Sequence, residues 1–159
     1  MKLFLTVGSM LPFDRLVLAM DDWAKNHPEA HIVAQIGATS LRPRNMQHHA
    51  MLSPSEYRQH FAACDIVVSH VGMGTVITAF ECNKTLVMLP RRPELQEVTS
   101  NHQFATAKWL IDSPGIRIVY SENELPAAIS DSVGAVGASM LEGGNRGQLI
   151  AALRHFISN

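Results

Sequence analysis

The chain has 159 residues, 47% of them apolar and 17% charged, a balance that excludes intrinsic disorder and suits one domain of ordinary size with a core of its own. Thirteen basic side chains face fourteen acidic ones, six of each sign through Thr75 and seven against eight beyond it. This evenness excludes the basic footprint of a nucleic-acid binder and the polybasic tag of a membrane-surface protein, while the sparse charge leaves surface suited to a protein partner.

In chain order, Leu3 to Val7 reads as a buried strand stopped by Gly8. Lys2 and the apolar residues behind it imitate a signal peptide, but Gly8, Ser9 and Pro12 interrupt the run and no small-x-small site follows. A helix is expected from Pro12, with Phe13, Leu16, Val17, Met20, Trp23 and Ala24 on one face. His31 to Ile36 makes a second strand, residues 38–47 a loop, and Met51-Leu52 the end of a short third strand. Ser53-Pro54-Ser55-Glu56 is a capping box that opens a helix to about Ala63. Strands follow at Asp65 to Ser69 and Leu86 to Leu89, with a short helix, Thr75 to Cys82, between them. A longer helix with Phe104, Ala107 and Ile111 inward, a strand at Ile116 to Tyr120, and a last helix carrying Leu149, Ile150, Leu153 and Ile157 complete the pattern.

Apolar strands alternating with helices specify a parallel sheet covered on both faces, a Rossmann-like doubly wound α/β domain spanning residues 1–159. Asp131 to Gly147 carries five glycines without a period and reads as a flexible connector. Cys64 and Cys82 stand in apolar contexts with no CxxC, the pattern of buried thiols in a reducing cytosol. No apolar run reaches the roughly 20 residues of a membrane span, so the expected location is cytoplasmic.

Ligands of doubly wound sheets collect at the carboxyl ends of the strands. Three such ends carry chemistry: Gly8-Ser9, the run Ser69-His70-Val71-Gly72-Met73-Gly74-Thr75, and Pro90-Arg91-Arg92 with the polar residues after it. Gly72 and Gly74 at a helix start, with the Thr75 hydroxyl, fit a diphosphate cradle; the same GxG also serves plain helix–strand packing. A dinucleotide fingerprint needs a third glycine where Ile77 stands, and no GK[ST] exists for a Walker loop. His70 is either a donor to an anion or a structural imidazole. Arg91 and Arg92 suit a phosphate, with one of the pair solvated. Glu97 and Asn101, four apart, would share a helix face and bind sugar hydroxyls, or simply supply surface polarity. The adjacent His48 and His49 diverge on an extended chain, and neither HExxH nor GxSxG occurs, so no metal site or serine hydrolase is read.

Several of these segments, in this order, resemble the C-terminal, donor-binding domain of family 28 glycosyltransferases over nearly the whole chain, half of the GT-B architecture. They are Val7-Gly8-Ser9 with Pro12 to Val17, Ala34-Gln35-Ile36-Gly37, Leu52-Ser53-Pro54, DIVVSHVGMGTVITA from Asp65 to Ala79, Leu89-Pro90-Arg91-Arg92, and Asn101-His102-Gln103. The resemblance extends to single-domain transferase subunits: the soluble half of the dolichol-linked N-acetylglucosaminyltransferase and the PssE-like exopolysaccharide subunits. It implies that Gly72, Met73, Gly74 and Thr75 cup the diphosphate of a UDP-sugar, that Leu52 and Ser53 border the uracil, and that Glu97, Asn101 and Gln103 meet the sugar. Where many relatives carry a ribose-holding Glu, this chain has Thr78, with Glu81 further along as a substitute; Val98 stands where relatives often have His.

The activity so implied is inverting hexosyl transfer to a lipid-linked or polysaccharide acceptor, without metal or cofactor, the leaving UDP being held by a helix N-terminus and an Arg. The general base would come from a membrane-associated, acceptor-binding partner, with His70 as the candidate within this chain, and a homo-oligomer is compatible with the sequence. The alternatives are a non-catalytic nucleotide-sugar-binding or scaffold module, and a dinucleotide-dependent oxidoreductase, which the missing third glycine disfavours.

Overall fold

Alternation along the first strand sets the layering. The structure, a computed structural model, describes residues 1–133. In β1 (Lys2–Thr6), Leu3 and Leu5 point to one side of the sheet, joined by Val7, and Phe4 points to the other. β2 (His31–Gln35), β4 (Ile66–His70) and β5 (Thr85–Leu89) repeat the division: Ile32, Val68 and Val87 on the first side, Val33, Val67 and Met88 on the second. With β3 (Gln47–His49) and β6 (Ile116–Ile118), the strands pair in parallel in the order β3-β2-β1-β4-β5-β6. Strands apolar on both faces are stable only when helices cover both. Here α1 (Asp14–Lys25) and α5 (Leu125–Val133) cover one, while α2 (Pro54–Ala63), α3 (Met73–Cys82) and α4 (His102–Leu110) cover the other. The expected doubly wound α/β class is the one observed.

Local chemistry explains most boundaries. The predicted stripe of α1 is buried as read, but the helix begins at Asp14, and the carbonyl of Pro12 is held by Arg91 instead of opening the helix. The capping box of α2 is complete, with Ser53 Oγ accepting from the Glu56 N–H and the Glu56 carboxylate accepting from the Ser53 N–H. α3 closes on Asn83 in the left-handed conformation (φ 52°), which asparagine tolerates better than most side chains.

Four expectations need correction. The third strand lies at Gln47–His49, before Met51-Leu52, because the Leu52 N–H is taken by the Gln35 side chain at 3.0 Å and leaves the ladder. α4 turns Gln103, Thr106, Ala107 and Leu110 inward, while Phe104 is half-buried against Tyr120 and Ile111 is exposed. A buried glutamine is favoured there because its Oε1 accepts the otherwise unpaired Arg91 N–H. β6 ends at Ile118 and not at Tyr120. Finally, Asp131 to Val133 belong to α5, a helix the sequence reading did not anticipate. The rest of the expected glycine-rich connector and the expected last helix lie outside the described residues.

Candidate functional site

β1 and β4 are neighbours in the sheet, but the chain leaves β1 toward β2 and leaves β4 toward β5. Their outgoing loops therefore diverge and open a crevice at the strands' carboxyl ends, the switch point where doubly wound sheets bind ligands. A cavity of ≈ 830 Å³ occupies this position, a size within the usual range for small-molecule sites. The loop after β1 forms one wall, the loop after β4 with the first turn of α3 forms the floor, and residues 98–106 form the far wall.

Only Val71 and Gly72 separate β4 from α3, so the helix starts inside the crevice. The first-turn N–H groups of Met73, Gly74 and Thr75 have no intrahelical acceptor, and all three residues line the cavity. Together with the positive end of the helix dipole they make a surface for an anion. The two glycines serve different ends. A Cβ on Gly74 would have no heavy atom within 4 Å, so the missing side chain leaves space for whatever enters. A Cβ on Gly72 would lie 2.3 Å from His70 Nε2, so that glycine exists to admit an imidazole. Of the two readings left open by the sequence, Gly72 serves packing, while the space at Gly74 is compatible with the cradle.

His70 ends β4 with its ring between Gly72 and Gly8, whose own Cβ would stand 2.7 Å from His70 Cε1 and whose φ of +83° already favours glycine. Burial, helped by the nearby Arg91 charge, lowers the His70 pKa to about 4. The imidazole is neutral near pH 7, and its Nδ1 is buried with no hydrogen-bond partner. It lines the cavity, but as a base it is feeble.

The third strand end departs most from expectation. Arg91 is 3% exposed, and its two terminal nitrogens donate to four carbonyls: Pro12 and Glu97 from Nη1, Val7 and Leu11 from Nη2. A guanidinium has five N–H donors, so at most one is left for a phosphate. Arg92 is not simply solvated either, since it donates to the Tyr120 carbonyl. Glu97 lies in the loop ahead of α4, shares no helix face with Asn101, and spends its carboxylate on Arg15 and the Arg92 N–H. Asn101 precedes α4 on a separate shallow groove. Neither Glu97 nor Asn101 lines the central cavity; Gln103 does.

Gly8, Ser9 and Leu52 line the cavity as expected. Ser53 does not, because its hydroxyl is committed to the capping box. Thr78 lines it, whereas Glu81 is away from it and pairs with Arg58 at 3.5 Å. The sequence reading missed Gln35, whose side chain accepts from the Leu52 N–H and donates to the Gly8 carbonyl. It also missed Tyr57, a phenol raised in pKa by burial against hydrogen bonds to Thr75 and Thr6. Thr99, Thr106 and the exposed His102, whose Nδ1 meets the Ser100 hydroxyl, complete the far wall. The usable signal was position: Gln35 is a lone polar residue at the end of an apolar strand. The lining contains no Asp or Glu among the described residues, and no three metal-ligating side chains come together there.

Fold and site together define a Rossmann-like domain matching the C-terminal half of the GT-B glycosyltransferases. Residues 2–140 match the glycosyltransferase family 28 C-terminal domain, and the chain belongs to that family. Among solved structures it is similar to the glycotransferase of kitacinnamycin, with TM-score 0.70 and 22% identity over 95% of this chain and 40% of that one. It is similar to ALG13 with TM-score 0.62 and 16% identity, over 85% of this chain and 86% of that one. A third is SsfS6 of Streptomyces sp. SF2575, complexed with thymidine diphosphate, with TM-score 0.57 and 19% identity over 97% and 37% of the two chains. The chain thus spans well under half the length of the first and third, but most of the second. No curated protein matches the chain by sequence. Among the described residues, no helix is long and apolar enough to cross a membrane.

Proposed function

We propose that this chain binds a UDP-sugar at the carboxyl ends of β1 and β4 and presents it for inverting transfer to an acceptor held by a partner subunit at a membrane. The observation that carries the reading is the free first turn of α3, opened by Gly74, on the floor of a cavity of ≈ 830 Å³. Peptide N–H groups there hold the diphosphate and stabilise the charge that grows on the leaving UDP, a role this reading gives to no metal. Arg91 lines the cavity but gives four of its five side-chain N–H groups to carbonyls, so its part is chiefly indirect. Leu52 borders the base, Ser9 and Thr75 flank the phosphates, and Gln103 and Thr99 face the sugar. The complex with thymidine diphosphate among similar structures supports a nucleoside diphosphate as the ligand class.

A carboxylate-free lining supports a general base from outside these residues, as the transfer requires one for the acceptor hydroxyl. The same observation favours a second reading, a nucleotide-sugar-binding module without catalysis of its own. The primary test is thermal: UDP at about 100 times its Kd stabilises the folded state by about 2.7 kcal/mol and raises Tm by about 5–10 °C. No shift with UDP, or a larger one with NAD, overturns the assignment. Transfer assays of the chain alone and with acceptor-binding candidates then separate the readings. Turnover by the isolated chain refutes the split enzyme, and UDP binding without turnover in any pair favours the module.

A further inference from the structure

We infer that Arg91, which lines the cavity but spends four of its five side-chain N–H groups on carbonyls, is a positioning residue for the diphosphate, shaping the cavity wall and charging it; this rests on the nucleotide reading above. Three of its carbonyl partners, Val7, Leu11 and Pro12, belong to the loop that carries Gly8 and Ser9 into the cavity. The fourth, Glu97, precedes Val98 and Thr99 on the opposite wall. One guanidinium therefore ties together both walls.

Two consequences act on an anion. Each carbonyl oxygen held by Arg91 is a negative dipole end withheld from the cavity, so the wall keeps its oxygens away from phosphate. The charge itself is also countered only through space, by the Glu97 carboxylate. The four side-chain partners are neutral carbonyls, and the nearest carboxylate, on Glu97, is already paired with Arg15 at 2.8 Å. A nearly buried cation without a carboxylate of its own projects its field into the adjoining low-dielectric crevice. His70 on the cradle floor stands close enough to Arg91 for that charge to add to the effect of burial in lowering the imidazole pKa. The Phe13 ring supports the guanidinium plane at 4.7 Å, which fixes its orientation.

Lysine is a poor replacement, since a point-charge ammonium has three donors and cannot span four carbonyls. The test measures UDP and uridine dissociation constants at 10 °C on folded wild-type, R91K and R91M protein, with circular dichroism confirming the fold. Expected results are a UDP Kd raised about tenfold in R91K, the loss of one hydrogen bond to a charged group, and raised further in R91M, with uridine binding unchanged in both. A merely structural role would weaken UDP and uridine alike, and that result overturns the inference. So does unchanged UDP affinity in R91K. Failure of the wild type to bind UDP sinks the nucleotide reading instead. If the Arg91 variants do not fold, F13L serves in their place. It keeps an apolar side chain in the core but removes the ring beneath Arg91, which also lies under Arg15, and an unchanged ratio of UDP to uridine affinity there overturns the inference as well.

Discussion

Replacing Gly74 by alanine is expected to strengthen the fold and weaken the ligand at once. The added Cβ meets no heavy atom within 4 Å, so no clash opposes it. Gly74 is the second residue of α3, and exchanging glycine for alanine inside a helix is worth about 0.5–1 kcal/mol, less near an end. The unliganded Tm is therefore expected to rise by about 1–4 °C. The methyl group occupies the space that a phosphate oxygen needs to approach the first-turn N–H groups at about 2.9 Å. Loss of one such charge-assisted hydrogen bond costs about 1.5–3 kcal/mol, or about 10- to 150-fold in Kd for UDP. Scanning calorimetry without ligand and titration calorimetry with UDP read the two effects separately, and G74V should lose still more affinity. Normal UDP affinity in G74A would refute the cradle, and a lowered unliganded Tm would refute the claim that this position faces open space.

Three further outcomes follow from the same geometry. G72A should destabilise the protein by about 1–3 kcal/mol through its clash with the His70 ring, and should be close to neutral in an H70A background; a double-mutant cycle with no coupling contradicts the packing. His70 binds its proton with a pKa of about 4 in the folded chain, against about 6.5 unfolded, so the unfolded chain holds more protons between those values. Its contribution of about 3 kcal/mol is full above pH 6.5 and is lost as pH falls toward 4. Urea unfolding at pH 7.5 and 5.0 should show about 2 kcal/mol of that loss in the wild type and a flatter dependence in H70Q. S53A should cost about 1 kcal/mol of stability through the lost helix cap yet leave UDP affinity unchanged, which returns Ser53 to the binding site if affinity drops.

The layering was legible because it follows from backbone periodicity: Leu3, Phe4 and Leu5 announce a strand buried on both faces, and the Ser53 capping box marks a helix start within one residue. The position of Gly72 and Gly74 at the start of α3 was legible too, since a GxG between a strand and a helix marks the turn that joins them. Side-chain commitments were not legible. Arg91, Glu97 and Asn101 share a polar run, and their composition does not distinguish a guanidinium chelating four carbonyls from one awaiting a phosphate. Three of those carbonyls come from Val7, Leu11 and Pro12, about eighty positions away, and no local pattern encodes that encounter. α5 escaped notice because Leu125, Ala128 and Ile129 give too short a stripe beside a stretch rich in glycine.

The attraction offered at the mouth of α3 resides in peptide groups that have no proton to lose and no side chain to swing aside. Such a seat has no off position: acidity, short of unfolding the chain, changes what it holds only by changing the ionisation of the guest. Discharging it falls to mass action or to displacement by another molecule, so the tempo of any cycle run here would be set by departure and not by arrival.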